Sequence, residues 1–389
     1  MNQQQLRSRF QALFNPESFS YKNVYSRSIA SRIFKCHTAE LGYHCYHCNN
    51  SDCGHRQLQY HSCSNRHCCF CGTLKKEEWV ENRINDLLPC PYYHIVFTVP
   101  HQWNRVMMQA PAQMYRILFD AASQTLLTLG QDHKYLGAVP GITSVLHTWG
   151  QKLDYHVHLH CIVSGGGVKN GKWITPKRSN GKFLFPVPAL KKVYKAIFLR
   201  LLRERKSEMP VSDPQIDEAI KASGHKHWKV YAKKPFGGPE QVVKYLGRYT
   251  HKTAITYHRI KAVSDHHISF AYKDYRDNKQ KEMTLTCHEF LARFERHILP
   301  YRFVRIRHYG LLQNHGKTVR LNQLREEMDW EQPAGKVEVS VAIRMLEKYG
   351  RDVTKCGKCG QGRLELLMTK RFGKVTYHRA RDVPLDEVK

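Results

Sequence analysis

The chain has 389 residues and a formal net charge of +29, from 62 lysines and arginines against 33 aspartates and glutamates. This length allows two or three domains with a buried core, and the 41% of hydrophobic residues is ordinary for a globular protein. No apolar run approaches the roughly 20 residues that span a bilayer, and the first ten residues lack the apolar segment of a secretory signal. These features predict a protein without a membrane-spanning segment. They predict a cytoplasmic, nucleoid-associated protein with a polyanionic partner, most often nucleic acid.

Cysteine is concentrated near the N-terminus. Residues 1–35 are predicted to form a helical, basic lead-in, and eight of the 13 cysteines follow between Cys36 and Cys71. A segment so poor in large aliphatic residues needs a metal to fold, and the spacing of its thiols is typical of structural Zn²⁺. Residues 36–88 are therefore predicted to be a zinc-binding domain with a following helix. The expected ligands are Cys48, Cys53, Cys68 and Cys71. The remaining cysteines and histidines leave a second zinc ion open.

Residues 90–290 are predicted to form an α+β domain with a central antiparallel sheet flanked by helices. Strands are expected at 92–99, 142–150, 156–164, 227–232, 253–262, 266–273 and 283–287, and helices at 74–88, 112–129 and 188–206. A short polar turn at 152–154 predicts that two of the strands form a hairpin. Residues 165–167, three glycines, are expected to end the second of them.

The strand at 156–164 alternates histidines with aliphatic residues. Side chains two residues apart in a strand share a face, so His156, His158 and His160 are expected on one face and the aliphatic side chains, Ile162 included, largely on the other. A divalent metal bound by His158 and His160 could polarise a phosphodiester. Gln151, across the hairpin, is the first choice for a third ligand, followed by His94 and then His156.

Two tyrosines lie about 85 residues further along, in the sequence KYLGRYTHK. Tyr245 and Tyr249 are four residues apart, one helical turn, so a helix would direct both phenols to the same point. Taken alone, such a pair more often packs a helix. The cations Arg248 and Lys252 and the small Gly247 favour close approach to a nucleic-acid backbone instead. Tyrosine beside a metal suggests phosphoryl transfer through a covalent intermediate.

Residues 291–389 are predicted to be a basic C-terminal region. Its arginines Arg302, Arg305 and Arg307 are expected to contact DNA phosphates. Cys356 and Cys359 form half of a zinc knuckle. They complete a site with a distant segment or a dimer mate, or have no role.

Taken together, these motifs resemble the two-tyrosine HUH transposases of bacterial rolling-circle insertion sequences. The resemblance covers roughly residues 30–315 and rests on the segments CGHRQLQYHSCSNRHCCFC, PYYHIVFTVP, HTWGQKLDYHVHLHCIVSGGG, KVYAKKPFGGPEQVVKYLGRYTHK and FVRIRHYGLL. It implies an N-terminal zinc-binding domain before an HUH nuclease domain. It assigns His158 and His160 to the metal and Tyr245 and Tyr249 to the nucleophiles. In the zinc region the chain departs from the family pattern, with four residues between Cys48 and Cys53 where two are expected.

The resemblance also implies a reaction and its partners. A tyrosine cleaves single-stranded DNA at an element end, with Mg²⁺ or Mn²⁺, to give a 5′-phosphotyrosine and a free 3′-OH, and the second tyrosine allows strand transfer. Both single-stranded and duplex DNA at element ends are expected partners. The chain has no GxxxxGK[ST] motif, so unwinding would come from another protein such as a host helicase. The alternatives are a zinc-dependent DNA-binding regulator without catalysis and a metal-dependent hydrolase that uses water.

Overall fold

The computed structural model describes residues 2–176, 183–224, 228–233, 253–333 and 340–378, together with Gln241 and Gly247; for residues 73–76 it describes the backbone alone. The chain divides into two compact units. One combines Met1–Gly72 with Lys336–Lys389, and the other is Thr73–Gly335.

This division differs from the boundaries expected at 36–88 and 291–389. The helix after the cysteines belongs to the second unit, and residues 340–378 belong with the N-terminal segment. The physical reason is a long-range strand pairing, described below, that sequence spacing does not reveal.

The described residues form ten α-helices and thirteen β-strands. The helices are α1 (Gln3–Ala12), α2 (Val24–Phe34), α3 (Thr73–Ile84), α4 (Asn104–Gln109), α5 (Pro111–Gln131), α6 (Val187–Glu204), α7 (Asp213–Gly224), α8 (Cys287–Glu295), α9 (Lys317–Glu327) and α10 (Val341–Tyr349). The strands are β1 (Tyr43–Cys48), β2 (Arg56–Tyr60), β3 (Tyr92–Thr98), β4 (Val139–Trp149), β5 (Tyr155–Lys169), β6 (Lys172–Ile174), β7 (Val230–Lys233), β8 (Ile260–Val263), β9 (His267–Asp274), β10 (Lys279–Thr286), β11 (Ile306–Gly310), β12 (Leu364–Arg371) and β13 (Lys374–Tyr377).

The first unit is built around a four-stranded antiparallel sheet in the order β13-β12-β1-β2. Its N-terminal and C-terminal segments meet where β1 pairs with β12, with Cys48 opposite Leu364. Beside the sheet, α1 and α2 bury Phe10 and Ile33. The side-chain amide of Gln11 donates to the carbonyls of Phe34 and Cys36, at 2.6 and 2.7 Å, and so joins α1 to the end of α2.

The second unit contains an antiparallel sheet in the order β11-β4-β5-β3-β7, with β6 paired to the far end of β5. The predicted hairpin is confirmed as β4 and β5, and β5 is the central strand. The expected end of β5 at the three glycines is wrong, because the strand continues through them. A Cβ on Gly166 would lie 2.3 Å from Cζ2 of Trp173, so glycine lets β6 pack closely here.

The two faces of this sheet carry different clusters. On one face Phe97, Leu146 and Leu159 join the large core shared with α5 and α6. On the other face Val145 and Ile162 pack with leucines of α9. The prediction for Ile162 is therefore wrong. Ile162 is two residues after His160 in β5, so its side chain lies on the same face as the histidines.

A second, three-stranded antiparallel sheet has the order β10-β9-β8 and packs Phe270 against Phe290 of α8. None of the described helices combines the length and the apolarity that a bilayer crossing requires.

Candidate functional site

Three histidines converge on the second face of the central sheet. His158 and His160 alternate along β5, and His147 of β4 pairs directly with His158. One candidate ligand atom from each imidazole lies within 4.8 Å of the other two. The ring centroids of His147 and His160 are 4.5 Å apart. Three imidazoles from two adjacent strands could therefore share one metal ion.

Hydrogen bonds indicate which nitrogens face that ion. Nδ1 of His158 lies 2.8 Å from the backbone carbonyl of His156. A carbonyl only accepts, so Nδ1 donates, and the lone pair of the neutral ring is on Nε2. Nδ1 of His160 lies 2.8 Å from Nε2 of His94. With Nδ1 engaged by His94, Nε2 of His160 is the nitrogen that could coordinate a metal.

Burial keeps these imidazoles neutral. It lowers the pKa of His158 to about 4, with a smaller contribution from His156. Burial also lowers the pKa of His160 well below its ordinary value, aided by His158, His94 and Arg305. Only a neutral imidazole has a lone pair for a metal, so near pH 7 both rings are in the form that binds one.

His147 was not among the expected ligands. Gln151 instead donates from its side-chain amide to the Tyr275 hydroxyl, 3.1 Å away. His94 contacts the cluster through its hydrogen bond to His160, and His156 is exposed. The missed signal was the strand register: side chains of directly paired residues share a face, and the hairpin pairs His147 with His158. A bulge between His147 and Trp149 shifts that register.

The structure does not bring the expected zinc quartet together. The described cysteines instead form two groups of four. Cys68 and Cys71 lie with Cys36 and Cys63 in one group. Cys48 and Cys53 belong to the other, whose remaining members are Cys356 and Cys359. Closeness in the sequence grouped Cys48 and Cys53 with Cys68 and Cys71. In the structure β1 pairs with β12, which places Cys48 beside the C-terminal segment instead.

The first cysteine group has the dimensions of a zinc site. Sγ of Cys63 and Sγ of Cys71 are 3.7 Å apart. A Zn–S bond of about 2.3 Å in a tetrahedron sets ligand sulfurs roughly 3.8 Å apart, whereas a disulfide requires about 2 Å. The backbone N–H of Cys63 donates to Sγ of Cys36 at 3.3 Å, a bond that stabilises thiolate.

Comparison with known proteins decides the family. Residues 6–99 match the family model described as "Transposase zinc-binding domain", and residues 141–319 match the one described as "Putative transposase". The "Putative transposase y4qJ" of Sinorhizobium fredii is 37% identical over 358 residues, which are 87% of this chain and 88% of that protein. The chain belongs to the transposase family.

The relation is of the IS91 type. The "Transposase for insertion sequence element IS801" of Pseudomonas savastanoi pv. phaseolicola is 27% identical over 347 residues, which are 85% of this chain and 80% of that protein. The resemblance to rolling-circle HUH transposases is thereby confirmed. No solved structure matches the chain.

The expected nucleophiles of the transposase, Tyr245 and Tyr249, lie outside the described residues, as do Arg248 and Lys252. Gly247, between the two tyrosines, is described and is helical and buried. A Cβ at this position would lie 2.1 Å from Cγ2 of Val80 in α3. The absence of a side chain at residue 247 therefore allows close packing against α3.

Two of the arginines expected to bind DNA make contacts inside the transposase. Arg305 is only 8% exposed; its Nε donates to the carbonyl of Leu146 at 3.0 Å, and its guanidinium lies 4.9 Å from the ring centre of Trp149. The Arg307 guanidinium lies 4.3 Å from the ring centre of Phe119. Arg305 lies just before β11 and Arg307 lies on it. Both pack against aromatic rings, because a planar guanidinium stacks well on such rings. Arg302, by contrast, is exposed.

Proposed function

We propose that this transposase cleaves and rejoins single-stranded DNA at element ends through 5′-phosphotyrosine intermediates, with Tyr245 and Tyr249 as nucleophiles. The observation that carries the proposal is the cluster of His147, His158 and His160 on the central strands of the sheet. Neutral imidazoles that converge on one point are expensive to bury, and a catalytic metal gives them a role. A DNA-binding regulator would have no use for them.

The cluster fits a divalent metal. His147, His158 and His160 would hold it, the last two through Nε2. When bound, the ion supplies Lewis-acid polarisation of a phosphodiester oxygen and stabilises charge at phosphorus. Imidazole suits transition metals, whereas Mg²⁺ prefers oxygen ligands. Between the two expected ions, the donor set therefore favours Mn²⁺ over Mg²⁺.

The tyrosines would carry out the covalent steps. The phenolic oxygen of one tyrosine attacks phosphorus and loses its proton. The bond from phosphorus to the 3′ oxygen breaks, and that oxygen takes up a proton, so that a 5′-phosphotyrosine and a 3′-OH result. A 3′-OH from a second cleavage attacks the phosphotyrosine and releases the phenol. The phosphodiester count is unchanged, so no nucleotide hydrolysis is needed.

The edge of the sheet beside the histidines offers a path for the strand. Val96 of β3 pairs with His160 on one side and with Tyr231 of β7 on the other, so the three share a row on one face. Tyr231 is 54% exposed. Lys233, also exposed, pairs with His94 in the next row. An aromatic ring and a cation side by side suit a nucleic-acid base and its phosphate.

A nicking assay tests the proposal. Purified protein would be incubated with labelled single-stranded DNA that carries a candidate element end, with Mn²⁺ or Mg²⁺, and resolved on a denaturing gel. We expect a labelled band of protein size that disappears in the Tyr245→Phe, Tyr249→Phe double variant. Tyr301→Phe, an exposed tyrosine outside the cluster, is the matched control and should retain the band.

Each other outcome contradicts the proposal in a distinct way. An adduct that persists in the double variant would mean a different nucleophile. Cleavage without any adduct would indicate a water-dependent hydrolase. Tight binding with neither, across several ends and both metals, would indicate the DNA-binding regulator.

A further inference from the structure

We propose that Cys48, Cys53, Cys356 and Cys359 bind a second zinc ion, and that this site fastens the C-terminal segment to the N-terminal cysteine segment. The matching zinc-binding family model ends at residue 99 and so contains only two of these ligands. The inference concerns metal content and does not depend on the nuclease proposal.

The four sulfurs have the spacing of a tetrahedral site. Sγ of Cys48 lies 3.7 Å from Sγ of Cys359, and Sγ of Cys53 lies 3.9 Å from Sγ of Cys356. All four lie within 4.8 Å of one another. Ligand sulfurs around zinc are expected roughly 3.8 Å apart, whereas a disulfide would bring one pair to about 2 Å. The arrangement matches shared coordination.

The backbone around the sulfurs is shaped for thiolates. The N–H of Gly362 donates to Sγ of Cys359 at 3.3 Å. A Cβ on Gly362 would lie 2.3 Å from Sγ of Cys48, so glycine lets the turn after the C-terminal knuckle reach the site. N–H groups that point at sulfur offset the charge that four thiolates bring together.

Hydrogen bonds hold the two knuckles in register. The N–H of Asn49 donates to the carbonyl of Arg363 at 2.9 Å, and the N–H of Arg363 donates to Oδ1 of Asn49 at 2.8 Å. The Asn49 amide also donates to Glu365 at 3.1 Å. These bonds extend the β1–β12 pairing up to the cysteines and place both knuckles at the end of one sheet.

The hydrophobic cluster at this sheet is small. It consists of Cys45, Leu367 and Met368, with Tyr43 packed against it. So few apolar side chains bury too little area to hold two distant segments together, and a structural zinc ion supplies folding free energy directly.

Metal analysis of the full chain tests the inference. His147→Ala and His158→Ala together remove the histidine cluster as a third metal site, and in that background we expect two zinc ions per chain by elemental mass spectrometry, and one after Cys356→Ser and Cys359→Ser. Cys287→Ser removes a cysteine outside both groups and should retain two. One zinc ion in the histidine-cluster background, iron in place of zinc, or two zinc ions after the two cysteine substitutions would overturn the proposal.

Alkylation of the wild-type chain avoids any effect of the substitutions on folding. We expect Cys356 and Cys359 to resist N-ethylmaleimide in the native chain and to react once a chelator removes zinc, as read by peptide mass spectrometry. Labelling before chelation would show that the thiols bind no metal. Labelling only after a reductant would show a disulfide, and either result would reject the site.

Discussion

Nε2 of His94 lies 2.8 Å from Nδ1 of His160, and the two rings are parallel to within 7°. His94 is 1% exposed, and burial lowers its pKa to about 4. His94 is thus neutral near pH 7, and its hydrogen bond fixes the orientation of the His160 ring. In our proposal it is a positioning residue for the metal.

His94→Phe should therefore weaken Mn²⁺ binding by about 10- to 100-fold, because an outer hydrogen-bond partner fixes the ring and tautomer of a ligand. The measurement is a Mn²⁺ titration followed by electron paramagnetic resonance. His94→Gln, which can still hydrogen-bond, should recover part of the affinity. His101→Phe, at an exposed position, is the control. Equal affinity in His94→Phe and the wild type would remove His94 from this role.

His147→Ala and Gln151→Ala should differ sharply. The first removes one of three converging imidazoles and should abolish metal-dependent cleavage of single-stranded DNA. The second removes an amide that is bonded to Tyr275 and should change the rate less than tenfold. Adduct yield at a fixed Mn²⁺ concentration measures both. A large loss of adduct yield in Gln151→Ala, with little loss in His147→Ala, would support Gln151 as the third metal ligand, as the sequence suggested.

Acid should destabilise the fold through His297. This residue is 2% exposed, and burial lowers its pKa from the ordinary 6.5 to about 4. Between these two pH values the unfolded chain binds more protons, so the free energy of unfolding falls as pH falls from 6.5 to 4. The loss approaches about 3 kcal/mol at pH 4.

His297→Gln removes this titration and should lose less stability between pH 7 and 4.5 than the wild type does. Nε2 of His297 donates to the carbonyl of Leu153 at 3.2 Å, a bond that the glutamine amide can imitate. Urea unfolding at the two pH values gives the comparison. His101→Gln, at an exposed position, is the control substitution. The assignment fails if His297→Gln has the wild-type dependence.

Tyr231→Ala should weaken binding of single-stranded DNA about 5- to 150-fold, the equivalent of one stacked base at about 1–3 kcal/mol. Fluorescence anisotropy at several salt concentrations measures it. The salt dependence should persist, because no charge is lost. Tyr301→Ala, 66% exposed, is the control. Equal loss in both variants would argue against a stacking site at β7.

Lys233→Ala should act differently from Tyr231→Ala. Loss of one phosphate contact reduces the slope of log affinity against log salt by about 0.7 for a single strand. The same anisotropy series gives this slope. An unchanged slope would place Lys233 away from the DNA.

Gly247→Ala should destabilise the chain by about 1–3 kcal/mol, because the new Cβ meets Cγ2 of Val80. Adding Val80→Ala removes that methyl group and should restore both stability and adduct yield. Thermal unfolding and the nicking assay follow the pair. Failure of the second change to rescue the first would mean that residue 247 does not pack on α3.

Short-range patterns in the sequence predicted much of the central sheet. Short runs of strand-forming residues located β3 and β4, period-two alternation located β5, and the polar turn predicted the hairpin, because these features depend on adjacent residues. His147 was not predicted as a ligand because its place beside His158 depends on the cross-strand register, which a bulge shifts.

The long-range features could not be predicted in the same way. Nothing local indicates that Cys48 faces Cys359 or that β1 pairs with β12. Spacing rules favour the nearest knuckle, so Cys68 and Cys71 seemed the natural partners of Cys48. The packing of Arg305 and Arg307 was hidden for a related reason: charge predicts a solvent-exposed side chain, whereas a guanidinium can pack on an aromatic ring from a distant segment, here Trp149 of β4 and Phe119 of α5.

The hydrogen bonds between Asn49 and Arg363 join residues 314 positions apart. A ribosome that adds about 5–20 residues per second needs roughly 15–60 s to make that stretch. Throughout this interval β1 has β2 as a partner but lacks β12, and Cys48 and Cys53 lack the other two cysteines of their group. The first unit is thus finished last, after the second unit has emerged, and a prematurely terminated chain would carry an open sheet edge and two cysteines without their partners.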